Sequence, residues 1–294
     1  MEWKTKITKL TGTKYPIIMG AFAAVGRADF AAAFSNAGGL GIITAINFFS
    51  NEDFEKELKN MVELTDKPFG INFSIMPPIM AKRVPKPKTE DYYLDYVHIA
   101  LNSGVKVFTT SAYQAPKIGK LIKDAGCIWF HKCTTIKHAI SAENLGADAV
   151  TLVGVEGTGF KNPLQNTTLV NITMGKRLLK IPIIAAGGIG DSRGFLSALA
   201  MGAEAVCFGT AIMATKECKV PQNYKKKLIN QDIFDKDYYR QIFHHQLKDK
   251  SIWSMAAGHI EKVVSVKDFI ENIITNAENT LRSWGFSGNK FSTL

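Results

Sequence analysis

The sequence predicts an α/β fold, a (β/α)8 TIM barrel with a small helical insertion after its eighth strand. Eight short apolar runs recur along the chain with helix-like stretches between them, the pattern of parallel strands alternating with helices. The last two runs each stop on a glycine turn. The chain has 294 residues, and eight units within roughly 210 residues fit a closed barrel.

The predicted strands are short and almost continuously apolar, which is typical of a parallel sheet buried on both faces. They occupy residues 16–20, 39–43, 68–73, 105–109, 127–131, 149–153, 183–189 and 205–210, the last two including their glycine turns. The stretch from Val266 to Arg282 has apolar residues at helical spacing and is predicted to complete the outer ring of helices.

Two segments do not follow the repeat. Residues 77–96 are rich in proline and basic residues and are predicted to form a loop after the third strand. Residues 214–262 are polar and aromatic and contain no strand–helix unit. We therefore predict a TIM-barrel domain from residues 1–213 and 263–294, and a small helical insertion, 214–262, that acts as a substrate-binding lid.

Composition narrows the class of protein. Hydrophobic residues make up 46% of the chain and charged residues 21%, as in soluble globular enzymes. The net charge is +10, but the lysines are dispersed and lack interleaved aromatic residues, so nucleic-acid binding is not expected. The longest apolar runs are shorter than the ~20 residues of a membrane span. The N-terminus lacks the pattern of a signal peptide.

The four cysteines show no metal-ligand spacing and lie mostly in or beside apolar runs. This favours a reducing, cytoplasmic location without disulfides or a structural metal. The expected partner is a small-molecule substrate, with no nucleic acid and no membrane. The aromatic residues of the insertion also leave a homodimer possible.

The two glycine turns are the clearest functional signal. The first contains Ala186, Gly187 and Gly188, and the second contains Gly209 and Thr210. Glycine lets backbone N–H groups approach an anion closely, and helices that begin just after such turns direct their positive ends to the same point. Adjacent turns after strands seven and eight of a barrel commonly hold a phosphate. We predict a phosphate site there, the alternative being two tight loops without a ligand.

Residues that directly follow the strands should meet on one face of the barrel. This face would hold residues 19–21, Asn72, residues 110–111 and 131–132, residues 156–160 and the two glycine turns. The set is rich in backbone and poor in acids and bases, with neither a metal-binding cluster nor a Ser-His-Asp arrangement. A cofactor that carries a phosphate and a flat ring is therefore expected to perform the chemistry, with its ring over residues 19–21.

Single side chains on this face have alternative roles. Lys132 would place a positive charge near the electron-rich edge of the ring, or it is a solvated lysine at a strand end. Asn72 suits the amide edge of a ring, or it caps a loop. His131 alternates with Lys132 along the strand and is expected to face the barrel wall. Glu156 is either a buried acid or, as we favour, the group that fixes the glycine loop after it.

Taken together, these residues resemble the FMN-dependent nitronate monooxygenases, once called 2-nitropropane dioxygenases, a family that includes NAD(P)H:quinone reductases and flavin-type enoyl-acyl-carrier-protein reductases. The resemblance rests on residues 16–20, 37–41, 131–135, 138–139, 185–189, 209–210, 215–218 and 254–258. It implies non-covalent FMN, with NADH or NADPH as a possible co-substrate. The cofactor-binding residues that it implies are Met19, Gly20, Ala21, Asn72, Lys132, Gly159, Ala186, Gly187, Gly188, Gly209 and Thr210.

The loop after the sixth strand departs from the family pattern. Members usually carry a histidine there, which takes the proton from a nitroalkane, but this chain has Phe160 at that position. Phenylalanine cannot accept a proton, so the catalytic residue is unassigned and neutral nitroalkanes should react poorly. Nitronate anions have already lost that proton. The apolar side chain also suits a quinone or an enone.

The resemblance therefore implies an oxidoreductase that oxidises a small nitronate, or a similar donor, at flavin N5. The first alternative is NAD(P)H-dependent reduction of a quinone or an enoyl substrate. A second alternative is a flavin-binding protein with little turnover. A barrel that binds a sugar phosphate without flavin is a further possibility.

Overall fold

The computed structural model describes residues 1–159, 161–244 and 253–293. Their ten strands are β1 (Glu2–Lys4), β2 (Ile17–Met19), β3 (Gly41–Thr44), β4 (Phe69–Ser74), β5 (Val107–Ser111), β6 (Ile128–Cys133), β7 (Ala149–Val153), β8 (Ile183–Ala186), β9 (Ala205–Phe208) and β10 (Lys290–Ser292). Strands β2 to β9 form one parallel eight-stranded sheet, and each corresponds to one of the eight predicted strands.

The eight-stranded sheet closes into a barrel. Its strands follow the order β2-β9-β8-β7-β6-β5-β4-β3. The two ends meet where the N–H of Met19 donates to the carbonyl of Leu40 and the N–H of Leu40 donates to the carbonyl of Ile17, both at 2.9 Å. A parallel bridge between Ile18 and Leu40 marks this seam. The predicted TIM-barrel fold is confirmed.

Helices surround the barrel. They are α1 (Lys6–Thr11), α2 (Ala28–Asn36), α3 (Asn51–Leu64), α4 (Pro78–Ala81), α5 (Glu90–Asn102), α6 (Pro116–Asp124), α7 (Ile136–Asn144), α8 (Thr168–Leu178), α9 (Ser192–Ala200), α10 (Gln222–Ile229), α11 (Lys236–Phe243) and α12 (Val266–Ser283). Short 3-10 turns cover Ala45–Asn47, Thr210–Ile212 and Met255–His259. The main core lies between the barrel wall and this helical ring.

Capping residues start several of these helices. The hydroxyl of Ser50 accepts from the N–H of Asp53 at the start of α3, and the carboxylate of Asp191 accepts from the N–H of Gly194 at the start of α9. Ser265 and Asp268 form a reciprocal capping box on α12. These bonds satisfy N–H groups that the first turn of a helix leaves free.

Two features differ from the sequence-based expectation. The predicted loop 77–96 contains the short helix α4, and α5 begins within it at Glu90, where two acidic residues favour the first turn of a helix. In addition, β1 pairs in parallel with β10. These two strands are short and lie near the chain termini, and neither has an alternating pattern long enough to predict a strand.

The segment predicted as a helical insertion contains α10, α11 and a small separate core. That core consists of Ala214, Leu228, Trp253, Ala257 and Ile260. The carbonyl of Thr215 accepts from the buried amine of Lys225 at 2.6 Å, which connects α10 to the chain that leaves the barrel. The division into two domains and the role of this segment as a lid stay predictions.

Candidate functional site

A cavity of about 700 Å³ opens at the carboxyl ends of the barrel strands, the end where barrel enzymes place their active sites. It is lined by Ala21, Ala23, Thr44, Ile46, Ser74, Pro77, Ser111, Ala112, Tyr113, Gln114, His131, Lys132, Cys133, Thr134, His138, Gly159, Lys161 and Asn162. These residues come from the ends of β3 to β6, from the segments after β2 to β7 and from the first turn of α7.

The lining of this cavity is cationic. Lys132 and Lys161 both reach it, and its described lining holds no aspartate or glutamate. Such a concave surface attracts anions and groups with developing negative charge.

Lys132 lies on the inner side of the barrel. The register pairs it with Thr151 of β7. Burial raises the pKa of the Cys207 thiol on β9, and the positive charge of Lys132 partly offsets that increase, so the two side chains are within electrostatic reach of each other. The predicted placement of Lys132 on the shared face agrees with this geometry.

Asn72 belongs to a polar cluster on β4 and β5. Its amide nitrogen donates to the hydroxyl of Thr109 at 2.8 Å, and its amide oxygen accepts from the hydroxyl of Ser74 at 2.9 Å. The hydroxyls of Ser74 and Ser111 lie 3.2 Å apart, and both residues line the cavity. The Ser111 hydroxyl also lies 3.4 Å from both the amide nitrogen and the amide oxygen of Asn72, so the cluster fixes the orientation of this buried amide.

His131 points away from the barrel interior, as predicted, yet it also reaches the cavity. It is 5% exposed, and its Nδ1 lies 2.7 Å from the hydroxyl of Thr110. The indole N–H of Trp129 donates to the same hydroxyl at 2.8 Å. Burial, and to a lesser degree His138, lowers the pKa of His131 to about 4, so its imidazole is neutral at pH 7.

The two glycine turns have different backbone geometry. Gly187 and Gly188 have φ values of 102° and 73°, in the left-handed region that favours glycine. A Cβ on Gly188 would lie 2.9 Å from the Cβ of Glu156, so this turn packs against the loop after β7. Gly209 has a negative φ, and a Cβ there would meet no atom within 4 Å.

The loop after β7 is fixed by charged side chains. The carboxylate of Glu156 accepts from the N–H of Thr168 at 2.9 Å and from its hydroxyl at 3.0 Å, at the start of α8. The amine of Lys161 donates to the carbonyls of Val155 and Gly157. Glu156 therefore anchors the glycine loop, the role that we favoured from the sequence. Phe160 lies outside the described residues.

Residues 253–259 connect this loop to the second glycine turn. The N–H of Ser254 donates to the hydroxyl of Thr210 at 2.9 Å, and the N–H of Met255 donates to the carbonyl of Glu156 at 2.9 Å. The hydroxyl of Tyr238 on α11 donates to the carbonyls of Trp253 and Ser254. The insertion is thus joined by hydrogen bonds to the end of the barrel that carries the cavity.

The predicted cofactor-binding residues all lie at this end of the barrel, but the cavity contacts only some of them. Ala21, Lys132 and Gly159 line it. Met19 is 1% exposed, so its side chain is not accessible to a ligand, and a contact would have to use its backbone. The remaining predicted residues, Gly20, Asn72, Ala186, Gly187, Gly188, Gly209 and Thr210, end neighbouring strands without lining the cavity. Their role in binding a cofactor stays a prediction.

The sequence reasoning missed Lys161 and His138 as residues of the cavity. Lys161 lies in the loop after a predicted strand, on the same face of the barrel as Lys132. Its position after a strand is the signal that identified Lys132. His138 is on the first turn of α7, and its contact with the cavity depends on how that helix packs. Across the described ranges, no group of three or more His, Cys, Asp or Glu residues is arranged to hold a metal ion.

A second cavity, of about 710 Å³, lies between α10 and α11. Tyr224, Lys227, Tyr238 and Trp253 are among its lining residues. It lies away from the ends of the barrel strands, so it is not the candidate active site. In the part of the chain that the structure describes, no helix is long and apolar enough to cross a membrane.

Comparison with known proteins assigns the family. Residues 4–246 match the family model described as nitronate monooxygenase, which is more than half of the chain. The chain belongs to the nitronate monooxygenase family. It is therefore an oxidoreductase of a family that generally depends on flavin.

Curated relatives and solved structures agree with the nitronate monooxygenase family. A "(3aS,4S,5R,7aS)-5-hydroxy-7a-methyl-1-oxo-octahydro-1H-indene-4-carboxyl-CoA dehydrogenase" of Rhodococcus jostii is 28% identical over 99% of this chain and 76% of its own length. A probable nitronate monooxygenase of Staphylococcus saprophyticus is 29% identical over 76% of this chain and 72% of its own. A mutant of FabK from Thermotoga maritima superimposes with a TM-score of 0.80 at 30% identity, covering 96% of this chain and 98% of its own.

Proposed function

We propose that this member of the nitronate monooxygenase family oxidises a small nitronate, or a donor of similar charge and size, with FMN as its cofactor. The observation that carries the proposal is the cationic cavity at the carboxyl end of the barrel, where Lys132 and Lys161 lie without a described carboxylate between them. A nitronate is an anion with two oxygens on a planar nitrogen. A cavity with two ammonium groups favours such a ligand over its neutral nitroalkane.

The residues present fit an FMN phosphate at the two glycine turns. A Cβ on Gly209 would have no atom within 4 Å, so the backbone there is accessible to an anion. Gly188 has a φ of 73°, which brings its backbone into a conformation common in anion-binding loops. The hydroxyl of Thr210 already accepts a hydrogen bond from Ser254, and its own proton is available for a phosphate oxygen.

The ring of the cofactor would lie between the backbone of residues 19–21 and the side chains of Asn72 and Lys132. The Asn72 amide is held in one orientation by Thr109 and Ser74, and it would exchange its longer contacts with Ser111, at 3.4 Å, for the ring edge. Lys132 would hold a positive charge beside that ring. When bound, FMN supplies the ability to take up an electron pair and pass it on.

The chain's own residues bind and orient the substrate. The ammonium groups of Lys132 and Lys161 attract the substrate oxygens, while Ile46 and Pro77 supply apolar lining that excludes water from part of the cavity. No described carboxylate competes for the two lysines inside the cavity. A donor that arrives already deprotonated needs no base, which agrees with Phe160 at the position where relatives carry histidine.

The second candidate function is NAD(P)H-dependent reduction of a quinone or an enoyl substrate. It is favoured by the similarity to FabK, which extends over 96% of this chain. A side chain that cannot transfer a proton at residue 160 also suits a planar apolar acceptor better than a nitroalkane. The two candidates share the cavity and the cofactor site and differ in the electron donor.

An anaerobic reduction experiment separates these candidates. The purified protein is saturated with FMN, its visible spectrum is recorded near ~450 nm, and it is mixed with propyl-1-nitronate, NADH or NADPH in separate runs. We expect the nitronate to bleach the flavin band fastest. Bleaching by a nicotinamide alone would replace nitronate oxidation with the second candidate. Protein that takes up no FMN would overturn both.

Substitution of Lys132 tests its role directly. We expect Lys132→Met to lower kcat/KM for the nitronate about 10- to 100-fold, the usual effect of losing one charge-assisted hydrogen bond. Lys132→Arg should retain part of the activity. Lys137→Met is the matched control, because Lys137 is exposed on α7 and does not line the cavity. Equal effects of the Lys132 and Lys137 substitutions to Met would contradict the assignment.

A further inference from the structure

His131 is a buried titratable side chain that the proposed reaction does not use. Its ring stands between the barrel wall and the helical layer, on the same side of β6 as Trp129. The Trp129 ring packs over Gly119 of α6, where a Cβ would come within 2.4 Å of the indole. His131 is 5% exposed, and it is one of the residues that line the cavity.

The hydrogen bonds of this group fix the position of one proton. The indole of Trp129 can only donate, so the hydroxyl oxygen of Thr110 accepts from it. The Thr110 proton is then free to donate, and Nδ1 of His131, at 2.7 Å, is the partner that the described residues offer it. Nδ1 must then be unprotonated, which leaves the ring proton of neutral His131 on Nε2.

The Nε2 atom of His131 forms no hydrogen bond within the described part of the chain. Among the described residues, the fully buried side-chain atoms without a hydrogen-bond partner are Tyr93 Oη and Asn171 Oδ1. The Nε2 atom of His131 is not one of them. Because His131 lines the cavity, a donor in this state is available to a ligand there.

We propose that Trp129 and Thr110 hold His131 as a neutral imidazole whose Nε2–H donates a hydrogen bond to an oxygen of the substrate. The ligand class is a planar group with a negatively polarised oxygen, such as a nitronate or a conjugated carbonyl. His131 binds this oxygen without transferring a proton, and Thr110 is a positioning residue that acts through it. The identity of the ligand rests on the proposed function, whereas the protonation state of His131 does not.

The surroundings of His131 favour the neutral form. Burial is the larger cause of its lowered pKa of about 4, and His138 on α7 is the second. Lys132 and Lys161 add positive charge to the same cavity, and Cys133, whose pKa is raised by burial, adds no negative charge at pH 7. A cationic imidazolium at this position would repel these groups, whereas a neutral donor does not.

Nitrogen-15 NMR on the intact chain without substrate tests the proton position. With histidine labelled and the His131 signals assigned by comparison with His131→Gln, we expect Nε2 to be protonated and the ring to remain neutral down to pH 5. Thr110→Val should raise the pKa of His131 and populate the second tautomer, because the donor to Nδ1 is lost. Thr173→Val on α8 is the control and should leave both unchanged.

Steady-state kinetics test the hydrogen bond to substrate. We expect His131→Leu to raise KM about 5- to 10-fold, the effect of losing one neutral hydrogen bond. His131→Gln, whose amide N–H can replace Nε2–H, should recover most of that loss. A proton on Nδ1, or a His131 pKa near 6.5, would overturn the proposed network even in an active enzyme. Equal KM values in His131→Leu and the unaltered protein would overturn the contact with substrate.

Discussion

Lys161 is a partly buried lysine of the candidate site, and burial changes the pH at which its amine loses its charge. Desolvation lowers its pKa to about 8, and the carboxylate of Glu156 only partly offsets this. Its amine also donates to two backbone carbonyls of the loop after β7, which fixes the position of its charge. A lysine with such a pKa loses its charge within a pH range in which most lysines keep theirs.

We therefore expect anion binding to weaken as the pH rises through about 8. Nitrate, an anion at every pH used, should bind up to about tenfold more weakly at pH 9 than at pH 7, because Lys161 becomes neutral. The dependence should disappear in Lys161→Met, whereas Lys180→Met, a change at an exposed position, should retain it. Calorimetric titration at several pH values provides the measurement. An equally steep decline in Lys161→Met would assign it to another group.

The lowered pKa of Lys161 also makes the free energy of unfolding depend on pH. Lys161 has a lower pKa in the folded protein than its ordinary value of 10.5, so between about pH 8 and 10.5 the unfolded chain binds the additional proton. Its contribution therefore makes the free energy of unfolding rise with pH across that window. Below pH 8 both states are protonated, and the contribution no longer changes.

Sequence patterns at the residue scale located Lys132 better than Lys161 or His131. Lys132 ends a predicted strand, and strand alternation alone indicates which way it points. The position of the ring proton of His131 depends on Thr110, which lies on the neighbouring strand 21 residues earlier. The contact of Lys161 with the carbonyls of its own loop depends on the path of that loop. Neither contact follows from local periodicity.

At the scale of the element, the two glycine turns have similar composition but different constraints. The first turn needs glycine for the fold, since Gly188 has a φ of 73° and its Cβ position is only 2.9 Å from the Cβ of Glu156. The second turn does not need it for packing, because a Cβ on Gly209 would meet open space. Open space beside an accessible backbone is what the proposed phosphate site requires.

Alanine substitutions distinguish these two requirements. Gly188→Ala should lower the free energy of unfolding by about 1–3 kcal/mol through backbone strain. Gly209→Ala should cost less than about 1 kcal/mol, yet it should weaken FMN binding about tenfold by narrowing the space beside the turn. Denaturant unfolding and quenching of flavin fluorescence measure the two effects. Unchanged FMN affinity in Gly209→Ala would place the phosphate elsewhere.

The strands of the barrel repeat and the final helix were predicted from the sequence. All eight barrel strands and the final helix, observed as Val266–Ser283, have apolar patterns strong enough to be recognised locally. The pairing of β1 with β10 joins segments nearly 290 residues apart, and strands of three residues carry too little periodicity to be recognised. The start of α5 is hard to recognise from the sequence, because the helix begins soon after the proline-rich segment.

For the whole molecule, the insertion and the barrel are connected through the candidate site itself. Ser254 bonds to Thr210 in the second glycine turn, and Met255 bonds to Glu156 in the loop after β7. The same segment is held from the other side by Tyr238 of α11. A change in the insertion can therefore reach the second glycine turn and the loop after β7 through one hydrogen bond each.

Tyr238 and Tyr239 provide a test of this connection, because they are adjacent on α11 and differ in burial. The Tyr238 hydroxyl is buried, with its pKa raised by that burial, and donates to the carbonyls of Trp253 and Ser254 at 2.8 and 3.0 Å. Tyr239 is 48% exposed. We expect Tyr238→Phe to lower the free energy of unfolding by about 1 kcal/mol, and Tyr239→Phe to leave it unchanged.

The decisive measurement for Tyr238→Phe is local. Hydrogen exchange should accelerate at residues 253–259 and at the second glycine turn, because the segment that bridges them loses its support. FMN affinity should fall several-fold, while Tyr239→Phe retains both the exchange pattern and the affinity. If exchange accelerates only within α10 and α11, the insertion is mechanically separate from the glycine turns. Its influence on the reaction would then have to come from direct contact with the substrate.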